Sequence, residues 1–342
     1  MSHRFPASIF PIASLLLAPA HMAAQTPSSA AKANSAVKWT APRTPDGQPD
    51  LQGIWTSATL TPLERPPELA GKQSLTPGEA AAYEKQLLEQ GNRDRRDGNA
   101  EIDAGRAYNE FWFDRGTKVV GSRRTSLIVD PPDGRLPPLT PEAQKRDDAA
   151  RADARLHAVD GPESRPLAER CILWPTAGPP MLPGAYNNNY QIVQAPGYVT
   201  ILVEMIHDVR IIPIDGPIGG RPHVPPSVRQ WMGDPRGHWE GNTLVVETTN
   251  FTDKTRDVGA GMQRATFRGS DDKLRLIERF TRADRDTILY EFTVDDPTAF
   301  TKPWTAQVPM TKIPGPLFEY ACHEGNYAMT GVLAGARAQE KK

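Results

Sequence analysis

The sequence predicts a mainly β protein: a strongly twisted antiparallel meander, closed or nearly closed into a barrel, with two or three peripheral helices and a proline-rich wrap. Three observations carry this. Gly241-Asn242 is a tight-turn dipeptide, and the Thr243 to Phe251 run behind it has the β-branched residues that suit a pleated, half-buried surface. Similar runs recur at Tyr190 to Ala195, Tyr198 to Ile206, Val209 to Asp215, Leu274 to Arg282, Thr287 to Asp295 and Trp304 to Lys312. The 34 prolines among 342 residues, well above the usual share of about 5%, gather in the first half and between the strands, so much of the chain is extended connection.

In order along the chain, Met1 to about Ala24 reads as a secretory signal, with His3 and Arg4 ahead of a short apolar region and small residues at Ala23-Ala24. Pro6, Pro11 and Pro19 interrupt a run already shorter than the ~20 residues of a membrane helix. Residues 25–38, rich in Ser, Ala and Pro, read as a flexible mature N-terminus, and 39–342 as one domain. Asp50 to Thr56 begins the first strand. Thr76-Pro77-Gly78-Glu79 is a helix start with a capping box, and the helix runs to about Gln90 before Gly91. Residues 92–106 are dense in charge and read as a solvated connection. Ser126 to Val129 is a short strand, Thr140-Pro141-Glu142 opens a second, weakly amphipathic helix to about Ala158, and 175–184 is the wrap. An alanine-rich helix closes the chain from about Gly325 to Gln339.

A formal net charge of −1 leaves no broad basic field of the kind that draws nucleic acid. Export would let Cys171 and Cys322, the two cysteines, persist as a disulfide. No P-loop, Rossmann fingerprint, G-x-S-x-G elbow or zinc spacing occurs, so no motif names a cofactor or a metal.

Gly53-Ile54-Trp55 on a first strand, ahead of a long meander, resembles the G-x-W signature of the lipocalins and their calycin relatives. That resemblance implies a Trp at the closed end of a barrel beneath an Arg from a late strand, and Arg279 is the position matched to it. The Pro45 to Trp55 opening, the Gly237 to Val246 strand and the Cys322 to Tyr327 ending together resemble a large group of exported bacterial proteins of unknown function, which carries no catalytic residues to transfer.

A hairpin turning at 283–286 would set Thr281 against Ile288, Arg279 against Tyr290 and Glu278 against Glu291. Arg279 would then share the interior with Ile277, Ile288, Tyr290 and Phe292, and the opposed carboxylates would lie on a wet face. Glu247 and Glu204 stand as lone charges in apolar strands, candidates either for raised carboxylate pKa values or for a simple surface-facing position, between which alternation does not decide. His207-Asp208 reads as a hairpin tip, and His323-Glu324 as a strand-to-helix junction with free N–H groups.

These residues define the expected site: His207, Glu247, His323 and Glu324 as acid-base groups, with Trp174, Asp208, Arg210, Asn326 and Tyr327 as ligand contacts. Trp55, Arg279, Cys171 and Cys322 are the structural residues. The leading reading is an exported, small-ligand-binding barrel for a partly apolar ligand. An exported acid-base hydrolase, lyase or isomerase is the alternative, and a non-catalytic envelope interaction module a third.

Overall fold

Glycine and proline punctuate the chain where the strands end, and the elements between them are those of a large antiparallel sheet. The computed structural model describes residues 39–341 except 107–108, 175, 215–220 and 255–271. The expected signal and flexible N-terminus lie outside the described residues. Ten strands are present among them: β1 (Gly53–Thr56), β2 (Ile128–Asp130), β3 (Asn189–Ala195), β4 (Tyr198–Val203), β5 (Val209–Pro213), β6 (Asp234–Glu240), β7 (Thr243–Thr249), β8 (Arg275–Arg282), β9 (Thr287–Asp295) and β10 (Trp304–Ile313). Four helices accompany them: α1 (Pro77–Gly91), α2 (Ala100–Gly105), α3 (Pro141–Leu156) and α4 (Tyr327–Glu340).

The sheet runs β5-β4-β3-β1-β10-β9-β8-β7-β6, with β2 added on β10. It is two hairpin meanders joined by one seam. β1 supplies that seam, pairing with β3 on one side and β10 on the other. The end strands β5 and β6 approach each other but exchange no ladder; a single parallel bridge links Ile214 and Gly237. Gly237 permits that approach, because a Cβ there would lie 2.6 Å from Ile214 Cδ1 and 3.0 Å from Ile212 Cγ2. Hydrogen bonds therefore do not close the sheet, where the sequence pattern suggested a closed or nearly closed barrel.

β6 carries Pro235, Gly237 and His238 and lacks apolar alternation, which hid it from sequence reading; the turn at Gly241-Asn242 joins it to β7 in the expected hairpin. Thr76 and Glu79 form the anticipated capping box at α1, Thr76 Oγ1 accepting from Glu79 N and Glu79 Oε2 from Thr76 N. α3 starts at the Thr140 cap and buries only Ala143 and Asp147, a thin face as its composition implies. α2 occupies part of the segment read as connection.

One face of β8 and β9 is buried at every second residue: Leu276, Glu278, Phe280 and Arg282 on β8, with Ile288, Tyr290, Phe292 and Val294 on β9. The register differs by one from the expected hairpin. Arg282 pairs with Ile288, Phe280 with Tyr290, Glu278 with Phe292 and Arg279 with Glu291. The cause is the loop, which holds an odd number of residues, with Ala283 N and Asp284 N both donating to Thr287 O. A one-residue slip exchanges the two faces of a strand. Arg279 accordingly lies on the outer face, paired with Glu240 at 2.7 Å, and Glu278 faces inward.

Trp55 is fully buried, and its Nε1 donates to Leu51 O at 3.0 Å. The arginine over its ring is Arg282, with Cζ 4.7 Å from the centroid, not Arg279. Arg282 also donates to the carbonyls of Asp50, Asp284 and Arg285, which fixes the guanidinium plane above the indole. Beyond it the inward face continues as an aromatic file, Phe280, Tyr290, Phe292 and Trp304, with successive centroids 4.9, 5.6 and 5.6 Å apart. Such offset rings add stability beyond the area they bury.

Cys171 and Cys322 form a disulfide across 151 residues, tying the start of the wrap to the segment before α4. No helix among the described residues is long and apolar enough to cross a membrane.

Two outcomes follow from this packing. Replacing both cysteines by alanine is expected to lower stability by about 5 kcal/mol in the chain-entropy model for a loop of this size, measured by urea unfolding. Two reactive thiols in unfolded, unreduced protein would rule the bridge out. Trp55→Ala is expected to cost about 3–5 kcal/mol, the range for an aromatic removed from a core, and Arg279→Ala less than about 1 kcal/mol as an exposed pair; equal losses would contradict the Arg282 stacking.

Candidate functional site

After β4 the chain turns through Met205 to His207 before entering β5. Ile206 (φ 63°) and His207 (φ 50°) both take left-handed conformations there. A β-branched residue in that region is strained, and strain of this kind is held only where surrounding contacts impose it. The contacts are visible. Glu204, buried at the start of the turn, accepts from Asn189 Nδ2 at 2.6 Å and from Phe318 N at 3.0 Å. His207 Nδ1 lies 3.0 Å from Tyr320 O; a carbonyl only accepts, so Nδ1 carries the proton and neutral His207 presents Nε2 as an acceptor.

Around this turn, half-buried aromatic rings form a shelf. Tyr320 and Trp174 lie 6.4 Å apart, Trp174 and Tyr186 6.2 Å, and Tyr186 and Phe113 6.2 Å. The chain on either side of the wrap supplies Trp174 and Tyr186, the segment after β10 supplies Tyr320 and the segment before β2 supplies Phe113; the disulfide holds the first and third together. Asp208 follows His207, and burial raises its carboxyl pKa above the usual range, with His207 acting in the opposite direction. The shelf is therefore linked through Tyr320 to the His207 imidazole, with Asp208 next along the chain.

Tyr320 O also accepts from Cys322 N at 2.9 Å, which sets His207 beside the segment carrying His323 and Glu324. The side chains of those two residues are exposed, and none of the described contacts joins them to His207. Tyr327 is 82% exposed at the start of α4. Asn326 turns toward the wrap, its Nδ2 donating to Glu169 O at 2.7 Å and approaching Cys171 Sγ at 3.6 Å. Of the expected contacts, Trp174 is linked to His207 through Tyr320, and Asp208 only adjoins it in the chain.

Arg210 lies elsewhere. Its side chain is buried on the inward face, where Nη1 donates to Glu278 Oε1 at 3.0 Å and Nη2 to Glu278 Oε2 in a bidentate pair. Tyr290 Oη donates to Glu278 Oε1 at 2.8 Å and accepts from Met181 N at 3.0 Å. Burial opposes the Arg210 charge, and Glu278 more than offsets this, so its pKa rises. Burial, then the Glu278 charge, push the Tyr290 phenol well up, so it remains a donor. Tyr190, also raised by burial, donates to Thr176 O in the wrap. These bonds fasten residues 176–181 onto the inward face, and the buried Leu173, Ala177 and Met181 fill it.

Glu247 faces outward on β7. It is gripped by Arg275 through two bonds, and this lowers its pKa, contrary to the rise that a lone buried carboxylate would show. Its histidine neighbour is His223, whose Nε2 is 4.0 Å from Glu247 Oε1. His223 Nδ1 in turn lies 2.9 Å from the buried Asp234 carboxylate, which also accepts from Val224 N and Arg236 Nη1. Spacing hides this pair, because Asp234 stands 11 residues from His223. Among the described residues, no three His, Cys, Asp or Glu side chains are grouped to hold a metal ion.

Compared with family models, curated proteins and solved structures, the chain matches none.

The buried pair gives a direct test of the inward face. Glu278→Leu alone is expected to cost about 3–5 kcal/mol, because Arg210 is left charged and unpaired. Arg210→Met combined with Glu278→Leu should recover most of that loss in urea unfolding. A double variant as unstable as the single one would show that the pair does more than compensate its own burial.

Proposed function

We propose that the protein is an exported binder of a small, partly apolar ligand, built on a calycin-like curled sheet. The ligand packs on the aromatic shelf of Trp174, Tyr186 and Tyr320, and its polar end meets His207 Nε2 and Asp208. The observation that carries this reading is the shelf itself: half-buried rings beside a strained turn that presents an imidazole and a carboxyl group. Binding sites combine apolar walls with a few placed polar groups in this way. The rim is favoured over the interior because Met181, Leu173 and the aromatic file already fill the inward face. The calycin comparison is supported by Arg282 over Trp55, the role first matched to Arg279. Export is supported by the Cys171–Cys322 disulfide, a bond suited to an oxidising compartment.

A second reading, an exported acid-base hydrolase, has an observation of its own. Asp234 orients His223 through Nδ1, and Nε2 faces outward toward Glu247. That is the arrangement of a carboxylate-oriented general base.

Native mass spectrometry of protein purified from its source, followed by titration of the released ligand, separates the two. Trp174→Ala and His207→Gln are each expected to weaken binding at least tenfold, about 1.4 kcal/mol, with His223→Gln unaffected. Undiminished affinity in both rim variants removes the shelf as the site. Ester hydrolysis by the wild type that is lost in His223→Gln and retained in Trp174→Ala would favour the hydrolase.

A further inference from the structure

A pocket of about 380 Å³ opens where the segment after β1 meets the turn following β2, lined by Arg65, Pro66, Ala70, Gln73, Pro132 and Arg135, with Asp133 and Gly71. Its volume falls in the range of small-molecule sites. Arg65 is 6% exposed, yet every group it touches is uncharged. Nε donates to Thr125 Oγ1 at 2.8 Å, and Nη1 to Asp133 O at 2.6 Å and Pro132 O at 3.3 Å. Among the described residues no carboxylate pairs with it, and Nη2 has no hydrogen-bond partner. Gly134 (φ 70°) lets the backbone pack closely against this guanidinium, since a Cβ there would lie 3.0 Å from Nη2 and 2.3 Å from Ser126 Oγ.

A largely buried guanidinium without a counter-ion is costly, and Nη2, which keeps solvent access at the pocket, is the donor left for a ligand. The other arginine in the lining is compensated only in part, by a long and exposed ion pair. Arg135 Nε lies 3.9 Å from Glu64 Oε2, and its Nη1 donates to Arg65 O at 3.0 Å. The lining also contains Asp133, whose Oδ1 accepts from Arg135 N at 3.1 Å. Arg65 and Arg135 are thus balanced in formal charge by Glu64 and Asp133, so the pocket has room for at most a single negative charge and opposes a dianion. Pro66, Ala70 and Pro132 offer apolar surface next to it.

We propose that this pocket binds a small monocarboxylate. Arg65 Nη2 donates to the carboxylate, half-exposed Arg135 adds its charge at the mouth, and the ligand body packs on Pro66, Ala70 and Pro132. The site is separate from the aromatic shelf and does not depend on what that shelf binds.

Isothermal titration of the purified protein with benzoate tests it, with benzamide as the uncharged isostere and inorganic phosphate as the other oxyanion. The expected result is saturable binding of one benzoate, at least tenfold weaker for benzamide and for phosphate. Arg65→Lys keeps the charge but loses the planar fork, and should weaken benzoate at least tenfold. Arg135→Gln alters a side chain that is 49% exposed, so the fold is retained and a severalfold loss is expected. Trp174→Ala should leave benzoate binding unchanged. The proposal is overturned by no saturable binding, by equal affinity for benzamide, by tighter binding of phosphate, by full affinity in Arg135→Gln, or by loss in Trp174→Ala.

Discussion

The pairing of Arg210 with Glu278 is the constraint to which the rest of the sheet conforms. A carboxylate enclosed on the inward face is tolerable only with a charge and hydrogen bonds arranged around it, and Arg210 from β5, Tyr290 from β9 and Met181 from the wrap meet that need together. β5 and β8 are far apart along the sheet order, so the pair joins the two meanders across the inward face. Register is fixed by the same contact. Shifting β8 by one residue would present Arg279 inward and withdraw Glu278, leaving Arg210 and the Tyr290 hydroxyl without their partner.

A second polar anchor works at the C-terminal end of β8. Arg282 covers Trp55 and takes three backbone carbonyls, so its charge is spread over fixed dipoles while its plane packs on the indole. Both inward-facing charged residues of β8 are therefore satisfied by groups that only the tertiary fold brings near. Strand β8 cannot be read alone. Its two faces hold Leu276, Glu278, Phe280 and Arg282 against Arg275, Ile277, Arg279 and Thr281, and neither is plainly apolar. β9 is different, since Ile288, Tyr290, Phe292 and Val294 alternate cleanly and their inward face was legible from the sequence.

The same contrast explains what else was legible. The capping signals placed α1 and α3, the β-branched runs placed most strands, and two cysteines in a chain with an export-like start implied their bridge. The loop between β8 and β9 was not legible, because an odd loop and an even loop use the same turn residues there. At the rim, His207 and Asp208 are legible as a hairpin tip, but nothing in the local sequence marks Tyr186 or Tyr320, whose rings meet Trp174 only in the fold. Pairs such as His223 and Asp234, or a buried Arg65 with no carboxylate, depend on folding geometry that spacing does not encode.

The wrap links fold to function. In an open-mouthed barrel the interior is the natural place for a ligand, whereas here Leu173, Ala177 and Met181 pack into it and Thr176 and Met181 hydrogen-bond to Tyr190 and Tyr290. Those contacts draw residues 176–181 inward, and they leave Trp174 and Tyr186, just before and after, at the rim. The disulfide at Cys171 brings the Tyr320 segment against the same place, and Glu204 and His207 hold it there through Phe318 N and Tyr320 O. Filling the interior and building the shelf are thus one event: the residues that close the inward face are those that bring the aromatic rings together at its edge.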